Sequence, residues 1–186
     1  INVSLDSLDC KTYGEMNGRH FPVEKVLRSI EKAAATGLHI KINMVVQKDS
    51  NDQDIIPMAK YCFEKGYTLR FIEYMDVGNT NRWNMAQVVP SQHILELLHK
   101  EMPVQPVVSN DNGEVAKRYK YVGTNKEIGF ISSVTEAFCS DCNRARISAD
   151  GKLYTCLFAT TGTDVKAILQ NQCDEEVKLQ LMNIWR

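Results

Sequence analysis

The stretch HIKINMVV, residues 39–46, alternates side chains with a period of two. This alternation predicts a β-strand with one face in the hydrophobic core and the other face lined by polar groups. The core set is Ile40, Ile42, Met44 and Val46, and the opposite set is Lys41, Asn43 and Val45. The strand therefore carries a charge and an amide on the face that turns away from the core.

The same arrangement repeats on both sides of this strand. Residues 1–6 and 68–75 predict two further strands, and residues 23–34, 55–65 and 91–100 carry apolar side chains at helical spacing. Strand and helix thus alternate three times along the first half of the chain. Such alternation indicates an α/β fold with a parallel sheet and helical crossovers.

The second face of this sheet is polar, whereas a covered parallel sheet is apolar on both faces. The polar residues are Asn2, Ser4, Asp6, Lys41 and Asn43. We therefore expect a partial TIM-like barrel of three strand–helix units whose interior holds a polar ligand. A plain open sheet with polar strand ends fits the spacing equally well.

The second half of the chain has a different pattern of apolar and polar residues. Short alternating runs separated by glycines predict an antiparallel extension, so we divide the chain into a partial barrel, residues 1–102, and a C-terminal extension, residues 103–186. Within the extension we expect a hairpin that turns at Gly151. A final helical stretch over residues 164–185 is interrupted near Cys173.

The composition limits the classes of function. The chain has 186 residues, 44% hydrophobic content and a formal net charge of -1, which excludes a surface built for nucleic acid or anionic membranes. No apolar run approaches the roughly 18 to 20 residues that a membrane helix needs. The six cysteines do not resemble a disulfide framework, so we expect a cytoplasmic protein whose thiols are free for metals.

Three cysteines form the most informative motif, CSDCNRARISADGKLYTC, residues 139–156. Cys139 and Cys142 share one tight turn, and Cys156 returns on the far strand of the predicted hairpin. A structural zinc site needs four ligands, whereas a [4Fe-4S] cluster held by three thiolates leaves one iron open to a substrate. A zinc ribbon and a redox C-x-x-C pair remain as alternatives.

Two arginines follow the cysteine turn. Arg144 and Arg146 are two positions apart, so in an extended segment both guanidinium groups point to the same side. Paired arginines bind phosphate oxygens through bidentate hydrogen bonds, which suggests an anionic ligand beside the open iron. Neutralising the charge of the cluster and its thiolates is the alternative role.

Three stretches resemble a known family. INVSLDSLD at residues 1–9, RFIEYMDVGNTNRWN at residues 70–84 and FCSDCNRARISADGKLYTCLF at residues 138–158 are similar to the molybdenum cofactor biosynthesis protein A family. This family consists of radical S-adenosylmethionine enzymes also called GTP 3',8-cyclases. The resemblance implies a TIM-like barrel, a C-terminal extension with a second [4Fe-4S] cluster, and conversion of GTP to 3',8-cyclo-7,8-dihydro-GTP through a 5'-deoxyadenosyl radical.

The resemblance also implies roles for individual residues. The second cluster would be held by Cys139, Cys142 and Cys156. GTP would be bound by Lys41, Arg70, Arg144, Ala145 and Arg146. S-adenosylmethionine would be contacted by Ser4 and Met75. Because Arg70 and Met75 are an odd number of positions apart, a regular strand would send them to opposite faces. Met75 lies at the strand end, so either it acts through its backbone or a bulge intervenes, and a core role for Met75 is the alternative.

The family's N-terminal motif C-x-x-x-C-x-x-C does not occur in these residues. We therefore expect an incomplete lyase, inactive alone, with the first [4Fe-4S] cluster present only in a full-length protein. The exposed edge of a half barrel predicts self-association. The next enzyme would be cyclic pyranopterin monophosphate synthase. A zinc-stabilised binding module and another radical enzyme with an auxiliary cluster are the alternatives.

Overall fold

Three parallel strands begin the fold, as the alternating stretches predict. The computed structural model describes residues 1–76, 82–108, 114–136, 144–171 and 173–185. Strands β1, β2 and β3 pair in that order with parallel register. They span Asn2–Ser4, Lys41–Val46 and Thr68–Glu73. The predicted α/β class with its three strand–helix units is confirmed.

Four helices accompany these strands. Three of them match the helical spacing in the sequence, and one, α1, starts at Cys10 in a segment for which the sequence predicts no helix. The cause is local, because the Asp9 carboxylate accepts a hydrogen bond from Thr12 N at 2.8 Å and caps the helix. The helices α1 to α4 span Cys10–Met16, Val23–Ala35, Ile55–Lys65 and Ser91–Glu101.

The first strand is shorter than the six residues predicted. Leu5 N still donates a hydrogen bond to Asn43 O. At the next position the side chain of Asp6, and not its backbone, forms the hydrogen bond to β2. The Asp6 Oδ1 atom accepts a hydrogen bond from Val45 N at 2.9 Å, which satisfies that amide without extending the ladder. The regular strand therefore ends at Ser4.

The predicted antiparallel runs continue the same sheet. Strand β6, Glu127–Ile131, lies parallel to β3, and β5, Lys117–Tyr121, and β4, Val104–Pro106, follow it with antiparallel register. The sheet order is β1-β2-β3-β6-β5-β4. Among the described residues no pairing joins β4 to β1, so the sheet is open and the expected barrel is not closed.

One face of this sheet forms the core. Ile42, Met44, Leu69, Phe71 and Ile128 are almost completely buried there. The opposite face of the same strands carries the polar residues, so the period of two separates the core from the candidate site.

The chain divides into two compact units, residues 1–141 and residues 142–186. The division expected between residues 102 and 103 falls inside the first unit, between α4 and β4, and stays a prediction. The second unit contains β7, β8, β9, α5 and α6. These elements span Arg146–Ile147, Lys152–Tyr154, Thr163–Asp164, Val165–Asn171 and Asp174–Trp185.

The second unit follows the sequence closely. Strands β7 and β8 form the predicted hairpin, with Gly151 at a positive φ of 85° in its turn. The last helical stretch is broken between Asn171 and Asp174, as expected near Cys173. Within the described parts of both units, no helix has the length and apolar character to cross a membrane.

Candidate functional site

A continuous row of residues crosses the polar face of the large sheet. Cross-strand partners in a ladder point their side chains to the same face. In order from β1 to β5, the register aligns Ser4, Asn43, Arg70, Gly129 and Arg118. Two of the predicted site residues, Ser4 and Arg70, therefore share one face of the sheet.

A cavity of about 300 Å³ lies on this face. Its charged lining consists of Lys41, Arg70, Arg118, Glu114 and Glu127. Lys41 and Arg70, both predicted to bind the substrate, are thus brought together, although they come from different strands. The volume is at the lower end of the range for small-molecule sites.

Arg118 is held by two carboxylates on the far side of the cavity. Its Nε and Nη2 atoms donate to Glu127 Oε2 at 3.0 Å and Oε1 at 2.7 Å. Its Nη1 atom lies 3.6 Å from Glu114 Oε2. The hydrogen bonds from Arg118 hold the pKa of Glu127 below its ordinary value, although burial opposes this effect. The charge of Arg118 is therefore largely balanced by its neighbours.

Lys41 and Arg70 differ from Arg118 in this respect. Within the described residues, neither side chain forms a hydrogen bond or an ion pair. Lys41 acts on Glu127 only through its electric field, which contributes to lowering the pKa of Glu127. Two half-buried cations thus face the cavity with their donors uncommitted, which is the arrangement that an anionic ligand requires.

Glu73 fixes the end of β3 and is completely buried. Its Oε1 atom accepts from Ser91 N at 2.8 Å and from the Thr135 hydroxyl at 2.5 Å. Its Oε2 atom accepts from Val134 N at 2.9 Å and Thr135 N at 2.8 Å. Burial raises the pKa of Glu73, but these hydrogen bonds outweigh it and hold the pKa below its ordinary value. The carboxylate anchors the start of α4 and the turn after β6.

Met75 lies two residues beyond this anchor and is half-buried. Because β3 ends at Glu73, the strand alternation that would separate Arg70 from Met75 no longer applies. The chain after the strand is held by Trp83, whose Nε1 atom donates to Tyr74 O at 2.9 Å. Met75 thus lies beyond the end of the strand, as expected, and its contact with a ligand stays a prediction.

The β1 side of the row contains two further polar groups. Burial raises the pKa of Asp6, and its hydrogen bond from Val45 N offsets part of that rise. Asn43, between Ser4 and Arg70, has a buried Oδ1 atom without a partner among the described residues. A buried amide oxygen without a donor is unfavourable, so this part of the row suits a ligand that supplies one.

The cysteine motif is described only in part. Cys139 and Cys142 lie outside the described residues, whereas Cys156 follows β8 with an exposed thiol that accepts from Phe158 N at 3.4 Å. Where the chain is described, no group of three metal-ligating side chains comes together. By contrast, burial raises the pKa of Cys62 to about 12, so this thiol stays protonated inside the core.

The arginine motif lies on the hairpin that leads to Cys156. Arg146 is half-buried at the start of β7 and pairs with Tyr154, whereas Arg144 and Ala145 are exposed before the strand. The ladder ends at the pair of Arg146 and Tyr154, so neither Arg144 nor Cys156 belongs to it. The proximity of the arginines to the third cysteine stays a prediction.

Comparison with known proteins identifies the family. Residues 67–186 match the family model described as Molybdenum Cofactor Synthesis C. The chain belongs to the Molybdenum Cofactor Synthesis C family. This family segment includes β3 with Arg70, the β6–β5 wall of the cavity and the whole cysteine motif.

Individual relatives of this Molybdenum Cofactor Synthesis C protein extend the similarity to the entire chain. A GTP 3',8-cyclase of Staphylococcus epidermidis is 42% identical over 187 residues, and one of Staphylococcus aureus is 43% identical over 188 residues. A GTP 3',8-cyclase of Staphylococcus haemolyticus is 41% identical over 187 residues. All three alignments cover 100% of this chain and 55% of the relative. The chain thus spans about half the length of the curated relatives it matches.

The cavity contains residues that the sequence analysis did not single out. Arg118, Glu127 and Gly129 belong to strands that we predicted as a separate antiparallel extension. Their place beside Arg70 results from the pairing of β6 with β3, which spacing along the chain does not reveal. The available local signal was Gly129 itself, since a glycine inside a strand often marks a close approach.

Proposed function

We propose that this chain is the GTP-binding and second-cluster part of a GTP 3',8-cyclase in molybdenum cofactor biosynthesis. Membership of the family and the names of the relatives support the pathway. The arrangement of the polar cavity supports a phosphorylated substrate. The enzyme would convert GTP to 3',8-cyclo-7,8-dihydro-GTP, which cyclic pyranopterin monophosphate synthase would then use.

The observation that carries this proposal is the pair of uncommitted cations. Lys41 and Arg70 line the same cavity and have no partner among the described residues, while the adjacent Arg118 is neutralised. An anionic ligand replaces the water that solvates two such cations and gains charge-assisted hydrogen bonds. The triphosphate of GTP supplies that charge.

Removal of either cation tests this proposal. We expect Lys41→Ala and Arg70→Ala each to weaken GTP binding about 10- to 100-fold, the scale of one hydrogen bond to a charged group. Guanosine, which has no phosphate, should bind both variants as it binds the unchanged chain. Isothermal titration of the purified chain measures both ligands.

A matched control removes a lysine elsewhere. Lys60 is exposed and pairs with Glu101 on the helical surface, so Lys60→Ala should leave the affinity for GTP unchanged. Equal losses for GTP and guanosine in the Lys41 and Arg70 variants would contradict a phosphate-binding role for these cations.

We propose further that Cys139, Cys142 and Cys156 hold a [4Fe-4S] cluster. Three thiolates are a suitable donor set for iron, and the free, exposed thiol of Cys156 supports this assignment. The cluster would supply an open iron for the purine, and Arg144, Ala145 and Arg146 would bind GTP beside it. Reconstitution of the chain with iron and sulfide, without oxygen, should give the broad visible absorbance of a cluster.

The same sample separates this proposal from a zinc-stabilised module. GTP should change the absorbance of the reconstituted chain, and Arg144→Ala or Arg146→Ala should remove that change. A colourless protein that binds one zinc ion would support the module instead.

Ser4 and Met75 would contact S-adenosylmethionine, which a first [4Fe-4S] cluster in the full-length protein would cleave. We therefore expect no 5'-deoxyadenosine when the chain alone is incubated with reductant, S-adenosylmethionine and GTP. Any turnover would contradict this expectation. The free thiols of Cys10, Cys62, Cys156 and Cys173 support a cytoplasmic setting.

The self-association expected from an open sheet edge stays a prediction. One open edge is β1, which pairs with β2 on one side only within the described residues, and β4 forms the other edge of the sheet. Light scattering should detect an assembly larger than one chain, and a monodisperse monomer would contradict it.

A further inference from the structure

Gly129 occupies a position where a larger residue would favour the strand. It is buried in the middle of β6, with Arg70 of β3 and Arg118 of β5 as its cross-strand partners. Its φ is not positive, so its backbone conformation does not require glycine. A glycine inside a strand is less stable than alanine by about 0.5 to 1 kcal/mol. Another property of the site must therefore explain why this position is a glycine.

The space above Gly129 is filled by the side chain of Arg70. A Cβ atom added to Gly129 would lie 3.3 Å from Arg70 Cγ and 3.4 Å from Ala116 Cβ. The distance to Arg70 Cγ is shorter than an ordinary contact between such atoms, so the Arg70 side chain would have to shift by a few tenths of an ångström. The Arg70 side chain thus packs over the one position of the row that has no side chain.

The charges around this position favour a ligand on Arg70. Arg118, on the other side of Gly129, is bound by Glu127 and Glu114 and has little charge left to offer. Arg70 and Lys41 keep their donors for the cavity. The direction in which Arg70 extends therefore determines where a negative group can bind.

We propose that Gly129 is a specificity-determining position that lets Arg70 extend across β6 to bind the phosphate groups of the substrate. This inference rests on the proposed function, because it assigns Gly129 to the same GTP site. Gly129 itself is a positioning residue: it acts through Arg70 and selects phosphorylated ligands over the bare nucleoside.

Two substitutions of increasing size test the inference. We expect Gly129→Ala to weaken GTP binding about fivefold and Gly129→Val about 20-fold, up to the loss of one charge-assisted hydrogen bond. Guanosine should bind the unchanged chain and both variants equally. The affinity for GTP divided by the affinity for guanosine should therefore fall as the side chain at position 129 becomes larger. Urea unfolding should show that Gly129→Ala is at least as stable as the unchanged chain, because its strand propensity is higher.

Two further measurements distinguish positioning from a general structural effect. In an Arg70→Ala background, Gly129→Val should weaken GTP binding by less than about twofold, because the two residues act as one unit. Gly14→Ala is the matched control, since its Cβ would lie equally close, 3.3 Å, to His20 Cα but outside the cavity. This control should leave the affinity for GTP unchanged.

Inorganic tripolyphosphate separates this inference from the proposed function. Binding of GTP that is unaffected by Gly129→Val overturns the inference and leaves the proposed function standing, as does a full 20-fold effect in the Arg70→Ala background. Binding of tripolyphosphate that Gly129→Val weakens, with no binding of GTP, supports the inference and contradicts the proposed function. Binding of neither ligand by the unchanged chain overturns both.

Discussion

The two compact units hold their functional groups in different ways. In the unit of residues 1–141, Arg70 lies in a strand of six residues that is paired on both sides. In the unit of residues 142–186, Arg146 lies in a strand of two residues and Cys156 lies in a loop. A paired strand fixes the spacing of its side chains, whereas metal ligands gain order from the metal that they bind.

This difference suggests a division of tasks. The sheet of the first unit provides a preformed row of polar groups, and its position does not depend on a ligand. The hairpin of the second unit presents its groups on short elements beside exposed apolar residues such as Ile147, which is 69% exposed. We therefore expect the first unit to be the more rigid and the more strongly stabilised of the two.

The largest effect is expected at Glu73 in the first unit. Glu73→Ala leaves three backbone amides and one hydroxyl without their acceptor in a buried site. We expect a loss of about 3 to 5 kcal/mol in the free energy of unfolding, measured by urea denaturation. Glu101→Ala, at an exposed ion pair, should change it by less than about 1 kcal/mol. A similar loss in the free energy of unfolding for both variants would contradict the role of Glu73 as a stabilising anchor of the first unit.

The same anchor predicts an acid-sensitive first unit. The pKa of Glu73 in the folded chain lies below its ordinary value of 4.5. Its contribution to stability is therefore complete above that value and is lost as the pH falls through the lower pKa of the folded state. Urea denaturation between pH 7 and strongly acidic pH should show this loss. Glu73→Gln should remove that part of the pH dependence.

A smaller effect is expected in the second unit. Val177 is buried in α6 beside an apolar groove, and Val177→Ala should lower stability by about 1 to 2 kcal/mol. Leu179, on the same helix, is 61% exposed, so Leu179→Ala is the matched control with little effect. A loss at Val177 as large as that at Glu73 would remove the contrast between the units.

The smallest effect on stability is expected at the wall of the cavity. Glu127→Gln keeps the size of the side chain but removes its charge beside Arg118, and both side chains are about one-third exposed. The loss of stability should be under about 1 kcal/mol. Because the cavity becomes more positive, GTP should bind about two- to fivefold more tightly in a titration at low salt. Weaker binding of GTP would show that the carboxylate itself holds the ligand.

The sequence predicts one half of the cavity and not the other. The alternation of β2 and β3 separates Lys41 and Arg70 from the core residues, so their face follows from the period of two alone. The positions of Arg118 and Glu127 in the cavity could not be predicted, because the alternation within β5 and β6 does not indicate which strand lies beside β3. Across that pairing Phe71 is buried against Phe130, with the ring centres 5.9 Å apart, and this contact joins residues far apart in the sequence.

Local signals have similar limits elsewhere. Helix α1 is only seven residues long, too short for a clear helical period, and Asp9 at its cap was the one available sign. For Cys139 and Cys142 the evidence remains their spacing in the sequence. The hairpin confirms that β7 and β8 pair between the arginines and Cys156, and the relation of Cys156 to Arg144 stays a prediction.

The pairing of β3 with β6 also sets the order in which the chain can fold. Strands β1, β2 and β3 follow one another both along the chain and in the sheet, so we expect them to associate early. Strand β6 must first close a long loop, whose entropy opposes its docking. We therefore expect Arg70 and Lys41 to be in place before Gly129, so that the cavity acquires its second wall only in this late step. During synthesis, the growing chain would then display its charged row before it can enclose a ligand.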